Sequence, residues 1–281
     1  MQVFLNGQLV PKDDAKISVF DRGFLFGDGV YEVIPVFGNK LFRFTEHITR
    51  LNNSLFALNI KNPYNQDDWQ KICEDVINEC HSSSDKAVYI QITRGVGARE
   101  HLYHSSMVPT VFVMCNPISA NKYDKGITAI THTDIRWMRC DIKAITLLPN
   151  ILLRQYAKDS DESYEAILIR DSKVTEGAAS NVFVVKDDIV ITPPKDGQIL
   201  QGITRDLLVE LMLNANMPIQ EQHIPEQTLL DADEIWLTGS TTGVAPVLKL
   251  NGKSVGNGKP GMRWQQANQL FNIYISNYKN N

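Results

Sequence analysis

Cys140-Asp141-Ile142-Lys143 places a lysine directly ahead of an apolar run, and thirty-three residues later Val174-Thr175-Glu176-Gly177 places an acid on a strand end. A lysine amine can hold an aldehyde cofactor as a Schiff base, and a carboxylate at the far side of a pyridine ring keeps the ring nitrogen protonated. Lys143 and Glu176 are therefore the minimum equipment of a pyridoxal phosphate site. By spacing alone, a lysine snorkelling from a helix start and a glutamate solvated at a turn share this pattern, so the surrounding sequence has to decide. The apolar run after Lys143 predicts a helix over Ala144–Lys158; Pro149, near its start, is tolerated if it falls in the first turn, where a missing N–H costs little.

Working outward, 281 residues suffice for one large domain or two medium ones. A hydrophobic fraction of 43%, a charged fraction of 21% and a net charge of −4 describe a globular protein without the basic excess that nucleic acid or anionic membranes require. Neither is expected as a partner. Met1-Gln2-Val3-Phe4-Leu5-Asn6-Gly7 reaches a turn too early for a signal peptide, and no apolar run approaches the roughly 20 residues of a spanning helix. Cys73, Cys80, Cys115 and Cys140 form neither a paired framework nor a metal-binding spacing, so reduced thiols in a cytoplasmic protein are expected, with no metal.

Two hairpins are legible near the start: Val3–Leu5 turns at Asn6-Gly7 into Gln8–Val10, and Tyr31–Phe37 turns at Gly38-Asn39 into Lys40–Phe44. Helical spacing recurs through Ile48, Leu51, Leu55 and Leu58 and again through Trp69, Ile72, Val76 and Cys80, while Ala87–Thr93 and Thr110–Cys115 read as buried strands. The class is α+β. A polar, turn-rich stretch over residues 117–125 is the expected linker, dividing the chain into an N-terminal α/β domain, 1–118, and a cofactor-binding domain, 119–281. The second segment mixes strands (Glu165–Arg170, Val182–Lys186, Ile189–Thr192, Glu234–Thr238, Pro246–Leu250) with helices at Arg205–Asn214 and Arg263–Ser276.

A pyridoxal phosphate site must also hold a phosphate dianion. Gly202-Ile203-Thr204-Arg205-Asp206 enters a helix whose first N–H groups and dipole favour an anion, with Thr204 expected as cap and hydroxyl donor. Thr238-Gly239-Ser240-Thr241-Thr242-Gly243 offers a hydroxyl-rich loop after a strand, where exposed amides can form an anion nest. Arg50, beside His47 and Leu51, is the candidate neutralising cation.

These stretches together resemble a family, the fold-type IV pyridoxal phosphate enzymes, which include D-amino-acid aminotransferases, branched-chain aminotransferases and aminodeoxychorismate lyases. The likeness runs through five ordered motifs: Asp21–Glu32, Glu46–Leu51, Asp134–Lys143, Val174–Phe183 and Gly202–Asp206. It is closest to the D-amino-acid aminotransferases. The resemblance implies a two-domain fold, a smaller N-terminal α/β domain and a larger C-terminal domain with a barrel-like mixed sheet. It implies that Lys143 carries the cofactor and moves the Cα proton, and that Glu176 pairs with the ring nitrogen. Arg50, Ile203, Thr204, Gly239 and Ser240 match the family's phosphate cup, and Leu200 matches the apolar residue under the ring.

Substrate choice falls to Arg94-Gly95-Val96-Gly97-Ala98-Arg99-Glu100-His101. Tyr31, Arg99 and His101 match the groups that grip a substrate carboxylate in D-amino-acid aminotransferases, and Thr241 is a further candidate contact. The family likeness implies a homodimer whose loop brings Arg99 and His101 to the neighbouring active site. Amino acids and 2-oxo acids are the implied substrates. The lyases share an Arg-Gly-x-Gly-x-Arg loop but are expected to carry tyrosine where His101 stands; the branched-chain group is expected to carry Glu-Gly where Tyr31-Glu32-Val33 stands. Pro35, in place of a cation, and Ala178-Ala179, in place of hydroxyls, depart from the pattern and bear on side-chain preference and cofactor tuning.

Overall fold

Asn6 and Gly7, at φ of 48° and 98°, and Gly38 and Asn39, at 58° and 61°, adopt the left-handed backbone that lets a two-residue turn follow the twist of paired strands, so both expected hairpins form, the second with its return strand ending at Leu41 because Phe44 already starts a helix. The computed structural model describes residues 1–82, 85–118 and 123–280. The chain divides into two compact units, Met1–Ala120 with Ile142–Leu147, and Asn121–Asp141 with Leu148–Asn281. The expected linker over 117–125 falls partly on residues 119–122, which lie outside the described residues.

The first unit contains β1 (Gln2–Leu5), β2 (Gln8–Pro11), α1 (Arg22–Phe26), β3 (Gly29–Phe37), β4 (Lys40–Leu41), α2 (Phe44–Ala57), α3 (Gln66–Asn78), β5 (Lys86–Thr93) and β6 (Thr110–Pro117). Its six strands form an antiparallel sheet in the order β2-β1-β6-β5-β3-β4. Period-two alternation gives the sheet two different faces. Ile34, Val88, Ile90, Ile92 and Val113 are buried with Leu51, Leu55, Trp69, Cys73 and Val76 of α2 and α3. The opposite face carries Tyr31, Val33, Tyr89, Gln91 and Phe112, all only half-buried. Asn65 caps α3 in a reciprocal box with Asp68, which satisfies two backbone donors.

The second unit contains β7 (Ile127–Thr133), α4 (Leu148–Asp161), β8 (Glu165–Arg170), β9 (Lys173–Gly177), β10 (Asn181–Lys186), β11 (Ile189–Thr192), α5 (Ile203–Asn214), β12 (Ile219–Glu221), β13 (Ile224–Pro225), α6 (Glu226–Leu230), β14 (Glu234–Gly239), β15 (Gly243–Leu250), β16 (Lys253–Ser254) and α7 (Met262–Asn280). The sheet is mixed, in the order β12-β11-β10-β14-β15-β7-β8-β9-β13, with β16 on β15. Strands β9 and β10 stand five places apart in that order, about 24 Å in a flat sheet. Only residues 178–180 join them, with Gly177 N donating to Ser180 O at 2.7 Å, so the sheet has to curl toward itself. That is the expected barrel-like character.

Three expectations need correction. The helix after Lys143 begins at Leu148 rather than Ala144, because Ala144 bridges to Val30 and Ile145 N donates to Gly29 O at 3.1 Å. Pro149 then falls in the first turn. A continuous division at 118/119 fails for residues 142–147, which the same bonds tie into the first unit. Thr204 is not a cap: Gly202 occupies that position and Thr204 is the second helical residue. Strand β7 over 127–133 has no counterpart in the sequence reading, since Ile127-Thr128-Ala129-Ile130-Thr131-His132-Thr133 follows a turn without strong alternation.

Candidate active site

In the first unit Lys143 lies just ahead of Ala144, which bridges to Val30. Tyr31 N donates to Lys143 O at 2.9 Å, Lys143 N donates to Ser54 Oγ at 3.2 Å, and Lys143 Nζ lies 4.2 Å from the centre of the Tyr31 ring. Two of the candidate residues are thus brought together. Tyr31 in turn stacks on Tyr89, ring centres 5.8 Å apart, on the half-buried face of the sheet.

Behind that face lies a charged cluster. Arg50 Nε and Nη2 donate to Glu32 at 2.6 and 2.9 Å, and His47 Nδ1 is 2.8 Å from the same carboxylate. Burial alone would raise the Glu32 carboxyl, but Arg50 and His47 outweigh it and hold the group well below the usual carboxylate range. Burial drives the His47 imidazole below its ordinary value despite Glu32, so at neutral pH it is an uncharged ring with its Nδ1 proton directed at the carboxylate. Arg50 is therefore a held cation, its fork fixed by Glu32.

Arg99 and His101 are exposed on the loop between β5 and β6. Arg22 secures the loop backbone: Nη1 donates to Glu100 O at 2.5 Å and Nη2 to His101 O at 3.3 Å, while Nε is held on Asp28 at 2.8 Å. Arg99 and His101 lie against Phe26, at 5.7 and 5.9 Å from its ring centre. Arg22, a residue the sequence reading gave no role, is what shapes this loop.

In the second unit Glu176 occupies a β-bulge. Ile169 pairs with Val174 and Ile167 with Gly177, so Thr175 and Glu176 stand opposite Leu168 alone. In a regular strand neighbouring side chains point to opposite faces; the extra residue lets both serve one network. Thr175 Oγ1 donates to Asp134 at 3.0 Å, and Glu176 Oε1 accepts from Arg136 Nη1 at 2.5 Å. Glu176 also accepts from Asn181 Nδ2 at 3.0 Å and from Leu200 N at 3.0 and 3.1 Å. Burial pushes the Glu176 carboxyl above its ordinary value, and Arg136 and the Leu200 amide pull it back. Leu200 matters here through its backbone: Asn181 Nδ2 donates to Leu200 O at 2.8 Å, closing a ring of bonds with Glu176.

The phosphate candidates also fall in this unit. Asp206 N makes the first bond inside α5, to Gly202 O at 2.9 Å, leaving the amides of Ile203, Thr204 and Arg205 ahead of the helical ladder. Helix α5 packs on β14, whose Gly239 pairs with Gly243 across the tight Ser240-Thr241-Thr242 turn. Three protein donors make four contacts with the Glu176 carboxylate, two on each oxygen, with the Leu200 amide shared between them. A side chain at position 202 would meet Asn181 Oδ1 at 1.9 Å, so glycine alone fits beside the residue that orients Glu176. A buried carboxylate, helix-start amides and a half-buried lysine are the chemical types that pyridoxal phosphate demands. Among the described residues there is no cluster of His, Cys, Asp and Glu suited to a metal ion, and no helix long and apolar enough to cross a membrane.

Residues 29–250 match the family model for amino-transferase class IV. The chain is 37% identical over 263 residues to a D-alanine aminotransferase of Bacillus licheniformis, covering 93% of this chain and 92% of that one. It is 36% identical over 280 residues to a D-alanine aminotransferase of Staphylococcus aureus, covering 99% of each. Among solved structures it resembles the branched-chain amino acid aminotransferase of Escherichia coli, with a TM-score of 0.90, 25% identity and coverage of 98% and 94%. A branched-chain aminotransferase of Thermoproteus uzoniensis has the same fold, with a TM-score of 0.88 at 23% identity over 98% and 94%.

Proposed function

Because the chain belongs to the class IV aminotransferases, we propose that it transfers the amino group of a D-amino acid, such as D-alanine or D-glutamate, to a 2-oxo acid such as 2-oxoglutarate. The observation that carries the hand of the substrate is 36% identity to a D-alanine aminotransferase over 99% of both chains. The cofactor is pyridoxal 5'-phosphate, which when bound accepts the amino group and withdraws electrons from the substrate Cα.

Lys143 Nζ holds the cofactor aldehyde and afterwards carries the proton between substrate Cα and cofactor. The half-buried setting against Tyr31 supports that role. Glu176 holds a proton at the ring nitrogen, and its three protein donors, which fix its direction and oppose the effect of burial, support that role. The amides of Ile203 and Thr204, the Gly239-Ser240 turn and Arg50 bind the phosphate, and Leu200 packs under the ring. Tyr31, Arg99, His101 and Thr241 orient the substrate, with the guanidinium fork of Arg99 gripping its carboxylate. The exposure of Arg99 and His101 on a loop rigidly tied at Arg22 supports their acting on the site of a partner, in a homodimer. Four free, buried thiols support a cytoplasmic setting.

A donor panel tests the reading. D- and L-enantiomers are supplied separately with 2-oxoglutarate, and aminodeoxychorismate is supplied alone with pyruvate release followed. D-alanine or D-glutamate should turn over far faster than any L-form. Comparable turnover of L-leucine would move the assignment to the branched-chain group, and faster pyruvate release would make the protein a lyase.

A further inference from the structure

The guanidinium of Arg136 bridges two carboxylates. Nε and Nη2 donate to Asp134 Oδ1 and Oδ2 at 3.0 and 2.9 Å, and Nη1 donates to Glu176 Oε1 at 2.5 Å. The side chains of Arg136, Asp134 and Glu176 are 7%, 0% and 5% exposed, so the contact lies away from the screening that makes surface ion pairs weak. Asp134 is itself pinned from three further directions. It accepts from Arg136 N at 3.0 Å and from Thr175 Oγ1 at 3.0 Å, and it is paired with Arg170 Nη2 at 2.9 Å. Burial would raise the Asp134 carboxyl, but Arg136 and Arg170 outweigh it and keep the group ionised.

Two nitrogens committed to one fixed carboxylate leave a planar guanidinium no freedom to turn. The third nitrogen is then aimed by Asp134 at Glu176. Glu176 sits on the bulge, where the strand ladder does not by itself determine the side-chain direction. A buried carboxylate that loses a cationic partner takes up a proton instead of bearing an uncompensated charge. A protonated Glu176 would offer the ring nitrogen a competing hydrogen instead of an acceptor.

We infer that Arg136, aimed by Asp134, is a positioning residue for the cofactor ring: it directs the Glu176 carboxylate and places a fixed positive charge against it, so that Glu176 can face the ring nitrogen. This rests on the assignment of Glu176 made above. It adds that Glu176 acts together with Arg136, whose side chain is bonded to Asp134 and Glu176. The titratable and charged groups that face the pair are Asp134, Arg170 and Cys140.

The test compares wild type, E176Q, R136Q and R136K, all as holoenzyme. One reading is the dissociation constant for pyridoxal 5'-phosphate added back to cofactor-depleted protein. The other is the pH midpoint of the bound cofactor's near-visible absorption. R136Q should follow E176Q, with cofactor binding at least tenfold weaker and the midpoint displaced in the same direction; R136K should fall between them and wild type. A merely structural role would lower the thermal midpoint of R136Q and leave both readings at wild-type values, which would overturn the inference. If R136Q does not accumulate as folded protein, R136K decides: intermediate readings support the inference and wild-type readings sink it. An E176Q protein with wild-type readings would overturn the Glu176 assignment and this inference together, whereas a displaced E176Q beside an unchanged R136Q would overturn this one alone.

Discussion

At the scale of single residues, the first unit carries a lysine and a buried charged cluster, and Arg50 of that cluster is proposed both to hold the fold and to bind phosphate. Lys143 offers the amine. Borohydride reduction of the holoprotein followed by peptide mapping is expected to find the pyridoxyl group on Lys143, and the label on any other lysine would end the assignment. Glu32, Arg50 and His47 instead form a buried cluster whose charge state ties folding to pH. His47 has its folded pKa lowered from 6.5, so unfolding takes up a proton below that value and stability falls as pH drops through it. Glu32 has its folded pKa lowered from 4.5, so its contribution is present above 4.5 and is lost as pH falls further. The melting temperature should therefore decline from pH 6.5 downward and steepen below 4.5. Glu32→Gln should cost about 3–5 kcal/mol near neutrality, because it strands the Arg50 charge in the interior. It should also shrink the limb below pH 4.5. A flat melting profile between pH 7 and 4 would show that the cluster does not titrate with folding.

At the scale of elements, placement depends on irregularities more than on the regular strands and helices. The bulge at Thr175-Glu176 turns the acid toward Arg136, and the loop between β5 and β6 carries Arg99 and His101. Gly95 opens that loop at a φ of +96°, and a Cβ there would meet Val108 O at 1.9 Å. Gly95→Ala should thus displace the loop while sparing the lysine, the bulge and the helix start. Its kcat/KM for D-amino acids should fall roughly tenfold or more, about 1.4 kcal/mol per decade, with cofactor affinity unchanged. Steady-state kinetics beside a cofactor titration check this, and a fall in cofactor affinity without a fall in kcat/KM would contradict it.

At the scale of the whole molecule, a dimer in which the loop serves the neighbouring subunit makes a distinctive prediction. Lys143→Ala and Arg99→Ala proteins should each be nearly inactive alone. Unfolded together and refolded as a mixture, they should regain activity, because one site of each mixed dimer then receives an intact lysine and an intact arginine. No recovery, in mixtures that sedimentation shows to contain mixed dimers, would place Arg99 in its own subunit's site. Phe24 at 69% and Leu102 at 86% are among the exposed apolar side chains of the first unit.

By itself the sequence determined the class, both turns and most core helices and strands, and it singled out Lys143, Glu176 and the helix-start residues as candidates. Each of these depends on short-range spacing, on turn chemistry or on motifs that survive intact in the linear order. Tertiary structure alone decided that residues 142–147 leave the second segment to pair with Val30 and Gly29, since a bridge to a strand more than a hundred residues earlier leaves no local periodicity. It alone showed that Arg50 is held by Glu32, and that Asp134 and Arg136 stand behind Glu176. A buried charge has to find its partner wherever the fold supplies one. Here the partner for Arg50 comes from eighteen residues away and the partner for Glu176 from forty, distances at which sequence spacing carries no geometry.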